Sequence, residues 1–355
     1  MAYIAQLEPE ILLRQFLVHP PLGFRTECTA SSMPCFVAPF DLLTTADTAL
    51  RQRITRLPGY RFWGRWLRWR TRFAGCTVTE FAPLPVEVPA RQLADELVDS
   101  YGGDCALLVI KDIAPNSPLL DEAAIDHAEA FAQACKARGC VLLEGMPLAW
   151  VAIDFESIDA YLERLSHSRR KNIRRKLRSR DALSIDCVRT GAVMFDDDTV
   201  LAEFHSLYCN VYAQSEIHFD LLSPAFFAGL FRDSESAGLV FTYRHAGKLI
   251  GWNLCYEHDG KLIDKYIGFA YPQAREHSLY VVSWMENLEY ARRRGLSHYV
   301  AGWTDAEIKR QLGAHFSTTR HAVYVRNPLL RFAFRRFSHL FECDPMQLHD
   351  ARDNA

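Results

Sequence analysis

Two stretches of this chain, ACKARGCVLLEG at 134–145 and YARRRGLSHYVAG at 290–302, follow one plan. That repetition narrows the fold more than any other feature. In each stretch basic residues close a helical run, a glycine follows in the place of a left-handed C-cap, and an apolar run begins behind it. Upstream of the first, Ala123, Ala124, His127, Ala128, Phe131, Ala134 and Cys135 recur at helical spacing. Ahead of them, DCALLVIKD (104–112) reads as a strand and Pro115 and Pro118 mark a loop. Upstream of the second, KLIDKYIGF (261–269) is a strand and AYPQAREHS a loop. Tyr280 to Arg294 then forms a helix closed by Gly295, and LSHYVAGW (296–303) is the next strand. A strand–helix–strand unit occurring twice predicts a duplicated α/β domain, each unit with parallel neighbours and a right-handed crossover.

The remaining segments fit around these units. Residues 158–180 read as a helical arm, SIDCVRTG as a strand, and 197–213 and 223–233 as helices. His-Ala-Gly-Lys and His-Asp-Gly-Lys are hairpin turns that predict three antiparallel strands running into the second unit. HFSTTRHAVYVRN supplies another long strand or a pair of them. A length of 355 residues suits two domains at roughly 100–200 each. An apolar share of 49% against 24% charged is enough for ordinary cores.

Exclusions follow from the same reading. A net charge of −2 gives no global attraction to nucleic acid. The N-terminal MAYIAQLEPEILLRQF mixes acids into its apolar residues and has no basic start, so no signal peptide is expected. No apolar run reaches the roughly 20 residues of a transmembrane segment. Ten cysteines without a C-x-x-C pair predict free thiols, no metal site and a cytoplasmic protein. Neither G-x-S-x-G, a Walker loop nor G-x-G-x-x-G occurs.

The order of a strand meander, then strand, loop, helix, strand, helix and strand, resembles the core of the GNAT acyltransferases. GWTDAEIKRQLGA is similar to the fold-variant Fem-like and CelD-like group, where a glycine-containing strand end leads into a helix ending near Lys-x-x-x-Gly. SHSRRKNIRRKLRSR resembles the basic helix that opens such domains. The likeness covers residues 160–330 directly and 1–150 through the repeat. It implies two GNAT-like halves, each a mixed, partly antiparallel sheet flanked by helices. The expected division is a degenerate half at 1–155, a catalytic half at 156–340 with the basic helix at 158–180, and a tail at 341–355. Two positions depart from ordinary GNATs. The loop AYPQAREHS has no glycine to cradle a CoA pyrophosphate. Four residues before Gly313, where a tyrosine acid is usual, stands Lys309. Lysine is what the Fem-like group, which takes aminoacyl groups from tRNA, leads one to expect.

Acyl transfer to an amine needs a base, an oxyanion donor and a proton for the leaving group. Asp264, an acid within a strand, is the candidate base or amine-orienting group, with an edge-facing solvated carboxylate as the alternative. Strand alternation puts Asp264, Tyr266 and Gly268 on one face and Lys265 and Ile267 on the other. The resemblance places the oxyanion N–H near Tyr266 to Phe269, with Gly268 either allowing close approach or serving packing. Lys309 either protonates the leaving group or is a solvated charge. His277 lies at the loop–helix junction and titrates near neutrality, with Ser278 beside it as an N-cap. Tyr280 opens the helix as a substrate-binding candidate. Asn253 binds substrate polar groups or is a satisfied core amide.

Basic residues cluster twice. From Arg169 to Arg180 stand Arg169, Arg170, Lys171, Arg174, Arg175, Lys176, Arg178 and Arg180, with Ile173 and Leu177 as the docking stripe. Arg170, Arg174 and Arg175 are the candidate phosphate or donor-binding residues; a solvated face is the alternative. In RFWGRWLRWRTRF (61–73), helical spacing lines up Phe62, Trp66, Trp69 and Phe73 beside Arg61, Arg65, Arg68 and Arg72. That suits a membrane interface, a stacked base, an acidic partner or a buried aromatic face with snorkelling arginines. The tail repeats the theme with Leu330, Phe334 and Phe337.

The expected activity is N-acyl transfer to the primary amine of a small molecule or peptide. The donor is an acyl thioester, acyl-CoA or an acyl carrier protein, used as co-substrate with no cofactor bound. The alternatives are a Fem-like aminoacyltransferase using charged tRNA, and a non-catalytic protein of the same fold that contacts RNA or lies peripherally on a membrane.

Overall fold

The computed structural model describes residues 3–43, 48–114, 116–215 and 218–336. Its first unit holds residues 3–6, 16–147 and 317–336, and its second holds 7–15 and 148–316. Cys343, Phe337 and the expected tail at 341–355 lie outside the described residues.

In the first unit β1 (Tyr3–Ile4) pairs with β5 (Leu84–Pro85), and α1 (Ile11–Val18) ends there. Strands β2 (Arg25–Cys28), β3 (Pro34–Asp41) and β4 (Arg68–Ala74) form an antiparallel meander. Between β3 and β4 lie α2 (Thr48–Thr55), α3 (Tyr60–Trp63) and a 3-10 turn, Gly64–Leu67. Helix α4 (Ala90–Tyr101) crosses over to β6 (Leu107–Ile113), which is parallel to β4. Helix α5 (Glu122–Ala137), N-capped by Asp121, then leads to β7 (Val141–Ala152). Strand β13 (His315–Val325) lies between β6 and β7, antiparallel to β6, and α13 (Pro328–Arg336) follows it. The core between α4, α5 and the sheet holds Leu93, Leu97, Ile110 and Phe131, none with measurable exposure.

The second unit repeats the order. Strands β8 (Ser184–Arg189), β9 (Leu239–His245), β10 (Lys248–His258) and β11 (Lys261–Phe269) form the meander. Helix α11 (Leu279–Arg293) crosses over to β12 (His298–Gly302), parallel to β11, and residues 149–152 of β7 pair antiparallel with β12. Around this sheet are α6 (Ile158–Glu163), α7 (His167–Leu177), α8 (Asp198–Tyr212), α9 (Pro224–Phe231), α10 (Gln273–Glu276) and α12 (Ala306–Gln311). Leu279, Val282 and Leu288 bury α11 against the sheet with Leu262 and Tyr299. Each unit is thus a mixed, partly antiparallel sheet flanked by helices, the GNAT-like order.

Local chemistry explains the punctuation. Ala246, Gly247, Asp259 and Gly260 all have positive φ, as the two tight hairpin turns require. Gly139 and Gly295 are left-handed, and behind them Cys140 and Leu296 N–H donate at 3.0 Å to Cys135 and Ala291.

Two expectations are corrected. The segment at 104–144 is not a parallel strand pair, because β13 occupies the place beside β6. The parallel pair of this unit is β4 and β6, crossed by α4. The stripe through 61–73 is not one helix. From Arg68 the same residues satisfy a period of two, and they extend along β3 as β4. Phe73 stacks on Phe36 at 4.8 Å, and Arg72 is buried between Glu27 and Asp104.

Candidate active site

The site begins with an irregularity in β11. Leu254 of β10 faces Tyr266, but the next residue, Cys255, faces Asp264, so Lys265 is an extra residue in a β-bulge. The bulge breaks the expected alternation. Asp264 faces α11, whereas Tyr266 packs against Phe226 and Phe227 of α9, ring centres 5.8 and 5.3 Å away. Lys265 turns to Glu8, its ammonium 3.0 Å from a fully buried carboxylate. Asp264 therefore does not share a face with Tyr266. Gly268 is explained by packing: a Cβ there would overlap Trp252 Nε1 and lie 2.9 Å from the Tyr208 backbone nitrogen.

Asp264 ends a buried polar chain. Tyr299 donates its hydroxyl to Oδ2 at 2.8 Å and Asn287 its amide to the same oxygen at 3.0 Å. Asn253 donates to Asn287 Oδ1 at 3.1 Å and to Cys255 Sγ at 3.1 Å, and accepts from Tyr243 at 2.8 Å. The Cys255 thiol lies 3.5 Å from Asp264 Oδ1. Asn253 is wholly buried, so it is a satisfied core amide that holds the site from behind. Burial pushes the Asp264 carboxyl up to about 6, against the opposing pull of Tyr299, Cys255, the Lys309 charge and Asn253. Burial, followed by the Asp264 charge, holds Tyr299 protonated, so its hydroxyl remains a donor.

Beyond Asp264 the sheet opens. Pairing of β11 with β12 runs from Lys261↔His298 to Ile263↔Val300 and stops, while β11 continues to Phe269. Among the described residues, that edge of β11 has no strand partner past Ile263. Helix α12 begins just after β12, entered through Asp305 at φ 57°. Its Lys309, only 4% exposed, donates to the Ala301 carbonyl at 2.6 Å. Tyr280 in the first turn of α11 is held protonated by burial, then by the charges of Asp305 and Asp264. The fold thus gathers Asp264, Tyr280 and Lys309 around the diverging strands.

His277 is placed elsewhere. Its ring lies 4.2 Å from that of His245, and its carbonyl accepts from Ser179. Ser278 is left-handed at φ 52° and makes no cap bond, which corrects the expected N-cap. In the loop before it, the N–H groups of Ala274, Arg275, Glu276, His277 and Ser278 all donate to backbone carbonyls. A pyrophosphate cradle needs such groups unpaired.

The model of the FemAB-like family, described as peptidoglycan biosynthesis/recognition, matches residues 119–347. The chain belongs to the FemAB-like family. Its fold is similar to that of FemX (TM-score 0.53, 11% identity, covering 93% of this chain and 94% of that one). It is also similar to the C-terminal domain of a putative lysylphosphatidylglycerol synthetase from Agrobacterium fabrum (0.51, 14%, 93% and 90%). L-PGS from Bacillus licheniformis is a third (0.51, 9%, 96% and 98%). At these identities the likeness is one of fold. None of the curated proteins matches in sequence.

In this FemAB-like chain the basic helix α7 docks by Ile173, 3% exposed, and packs against α11. Arg174 pairs with Asp159 at 2.8 Å, Arg175 donates to Asn172 at 2.9 Å, and Arg170 reaches the Glu163 carbonyl at 3.5 Å. These three, with His167, Lys171 and Arg178, line an open groove on the solvent side. Sequence reasoning missed Asn287 and Tyr299. The one available signal was an asparagine on the apolar face of α11, since a buried amide there must have partners.

Proposed function

We propose that this protein transfers an acyl group of the aminoacyl kind from an RNA ester to the primary amine of a small molecule or peptide. The observation that carries this is Asp264, a half-buried residue whose carboxyl has a pKa of about 6 where β11 loses its partner. A base near neutrality suits deprotonation of an ammonium group. Asp264 takes one proton, and the freed nitrogen attacks the acyl carbon. The negative charge forming on the carbonyl oxygen is met by N–H groups of the unpartnered β11 edge and by the Lys309 ammonium. Breaking the C–O bond releases the ribose hydroxyl, which leaves with the proton Asp264 took. The second excess proton on nitrogen passes to water.

Three features support the RNA donor over CoA: the engaged N–H groups of the β11–α11 loop, a lysine at 309, and the solvent-facing arginines of α7. The family's description supports a peptide-type acceptor, and both substrates fit a cytoplasmic protein. Among the described residues no helix is long and apolar enough to cross a membrane.

The test supplies full-length protein with charged tRNA, acyl-CoA or an acyl carrier protein thioester, plus amine-bearing peptides, and weighs the products. Transfer from charged tRNA that Asp264→Asn abolishes supports the reading. Transfer from a thioester alone reassigns the donor. Undiminished transfer by Asp264→Asn removes the mechanism.

A further inference from the structure

Residues 51–70 hold seven arginines and five aromatic residues without a single acid. Most of this stretch lies in the excursion between β3 and β4, and its apolar tips face outward. Phe62 is 64% exposed and Trp66 68%, with Leu57 also exposed. Arg61, Arg65, Arg68 and Arg70 surround them in solvent, and the Arg61 guanidinium covers the Phe62 ring at 4.6 Å. The two flanking indoles spend their N–H groups locally: Trp63 on the Pro58 carbonyl at 3.0 Å, Trp69 on that of Trp66 at 2.7 Å.

Helix α13 presents the same chemistry. Arg331 and Arg335 turn back and hold it to its own unit, through the Val325 carbonyl at 2.7 Å and the Gly139 carbonyl at 3.2 Å. The opposite face carries Leu329 and Phe332, 80% and 77% exposed, followed one turn on by Arg336.

Strand register brings the two segments to one end of the first unit's sheet. Arg68 opens β4 opposite Asp41, Thr71 pairs with Leu107 at the start of β6, and Leu107 pairs with Val325, where β13 ends and α13 departs. Neighbouring strands stand about 4.8 Å apart, so these exits lie within roughly 10–15 Å of one another. Single exposed apolar side chains are ordinary; a cluster ringed by arginines is not.

We propose that this end of the first unit docks on an anionic phospholipid bilayer, with Phe62, Trp66, Leu329 and Phe332 entering the acyl boundary and the arginines pairing with lipid phosphates. RNA would use the rings by stacking but has nothing to offer the aliphatic tips of Leu57 and Leu329, which is why a bilayer is the better fit. The inference is independent of the transfer reaction, because it reads binding alone.

The test sediments full-length protein with vesicles of phosphatidylcholine, pure or with about one-third phosphatidylglycerol, at low and high salt. Binding is expected only to the anionic vesicles and should weaken with salt. Phe62→Ala with Trp66→Ala, and separately Leu329→Ala with Phe332→Ala, should each lower the partition coefficient at least about tenfold. Their melting curves should match the parent's, since the side chains are exposed. Absence of binding to anionic vesicles, or equal binding by parent and variants, overturns the proposal. So does a surface that takes up tRNA instead, losing it in the Phe62/Trp66 variant while vesicles stay unbound.

Discussion

At the scale of single residues, Asp264 couples activity to stability with opposite signs. Its pKa rises from 3.8 in the unfolded chain to about 6 in the fold. The folded protein therefore holds this proton more tightly, and stability falls as pH climbs between those values. Asp264→Asn is expected to lower turnover by about 10²–10⁴-fold while adding about 1–3 kcal/mol at pH 8, a gain that fades towards pH 4. Thermal melts at several pH values beside a pH–rate profile check both halves. The parent should lose kcat/KM below about pH 6, and His277→Ala should keep that limb, since His277 lies with His245. Lys309→Met preserves buried volume and should still cost about 10²-fold in turnover; full activity in that variant removes Lys309 from the mechanism. Gly268→Ala should destabilise by about 1–3 kcal/mol through the collision with Trp252.

At the scale of elements, the bulge at Lys265 and the helix α7 decide most. Type and position of β11, α11 and β12 were legible because turn glycines, capping glycines and apolar periodicity are local signals. The faces of β11 were not. One inserted residue reverses every side chain beyond it, and nothing in IDKYIG marks that insertion. The same limit hid the β4 strand, where arginines and aromatics fit both periods until β3 supplied the pairing. For α7 the arginines were plain and their direction was not. Replacing Arg170, Arg174 and Arg175 together with alanine should weaken tRNA binding and flatten its salt dependence by about 2–3 in log–log slope. Binding measured across a salt series checks this; an unchanged slope returns α7 to a solvated face.

At the scale of the whole molecule, each unit depends on chain from distant parts of the sequence. The first unit needs residues from 317 onward, because β13 fills the place between β6 and β7 and buries Ala322 and Val323. A protein ending at residue 316 should therefore expose the β6 edge and lose protection throughout the first unit, as read by amide hydrogen exchange. The second unit takes residues 7–15, whose Glu8 pairs with Lys265. The expected boundary at 156 lies just past the point within β7 where the chain enters the second unit. Sequence alone determined most element types outside 61–73, the hairpin turns, the glycine-closed helices and the duplicated order, and it singled out the candidate acid and lysine, because these rest on short-range backbone preference and burial period. Tertiary structure alone decided which strands are neighbours, which face Asp264 takes, and that Asn253, Asn287 and Tyr299 converge on it. Those outcomes depend on contacts between residues far apart in the chain, where the energy of pairing and burial overrides any local pattern.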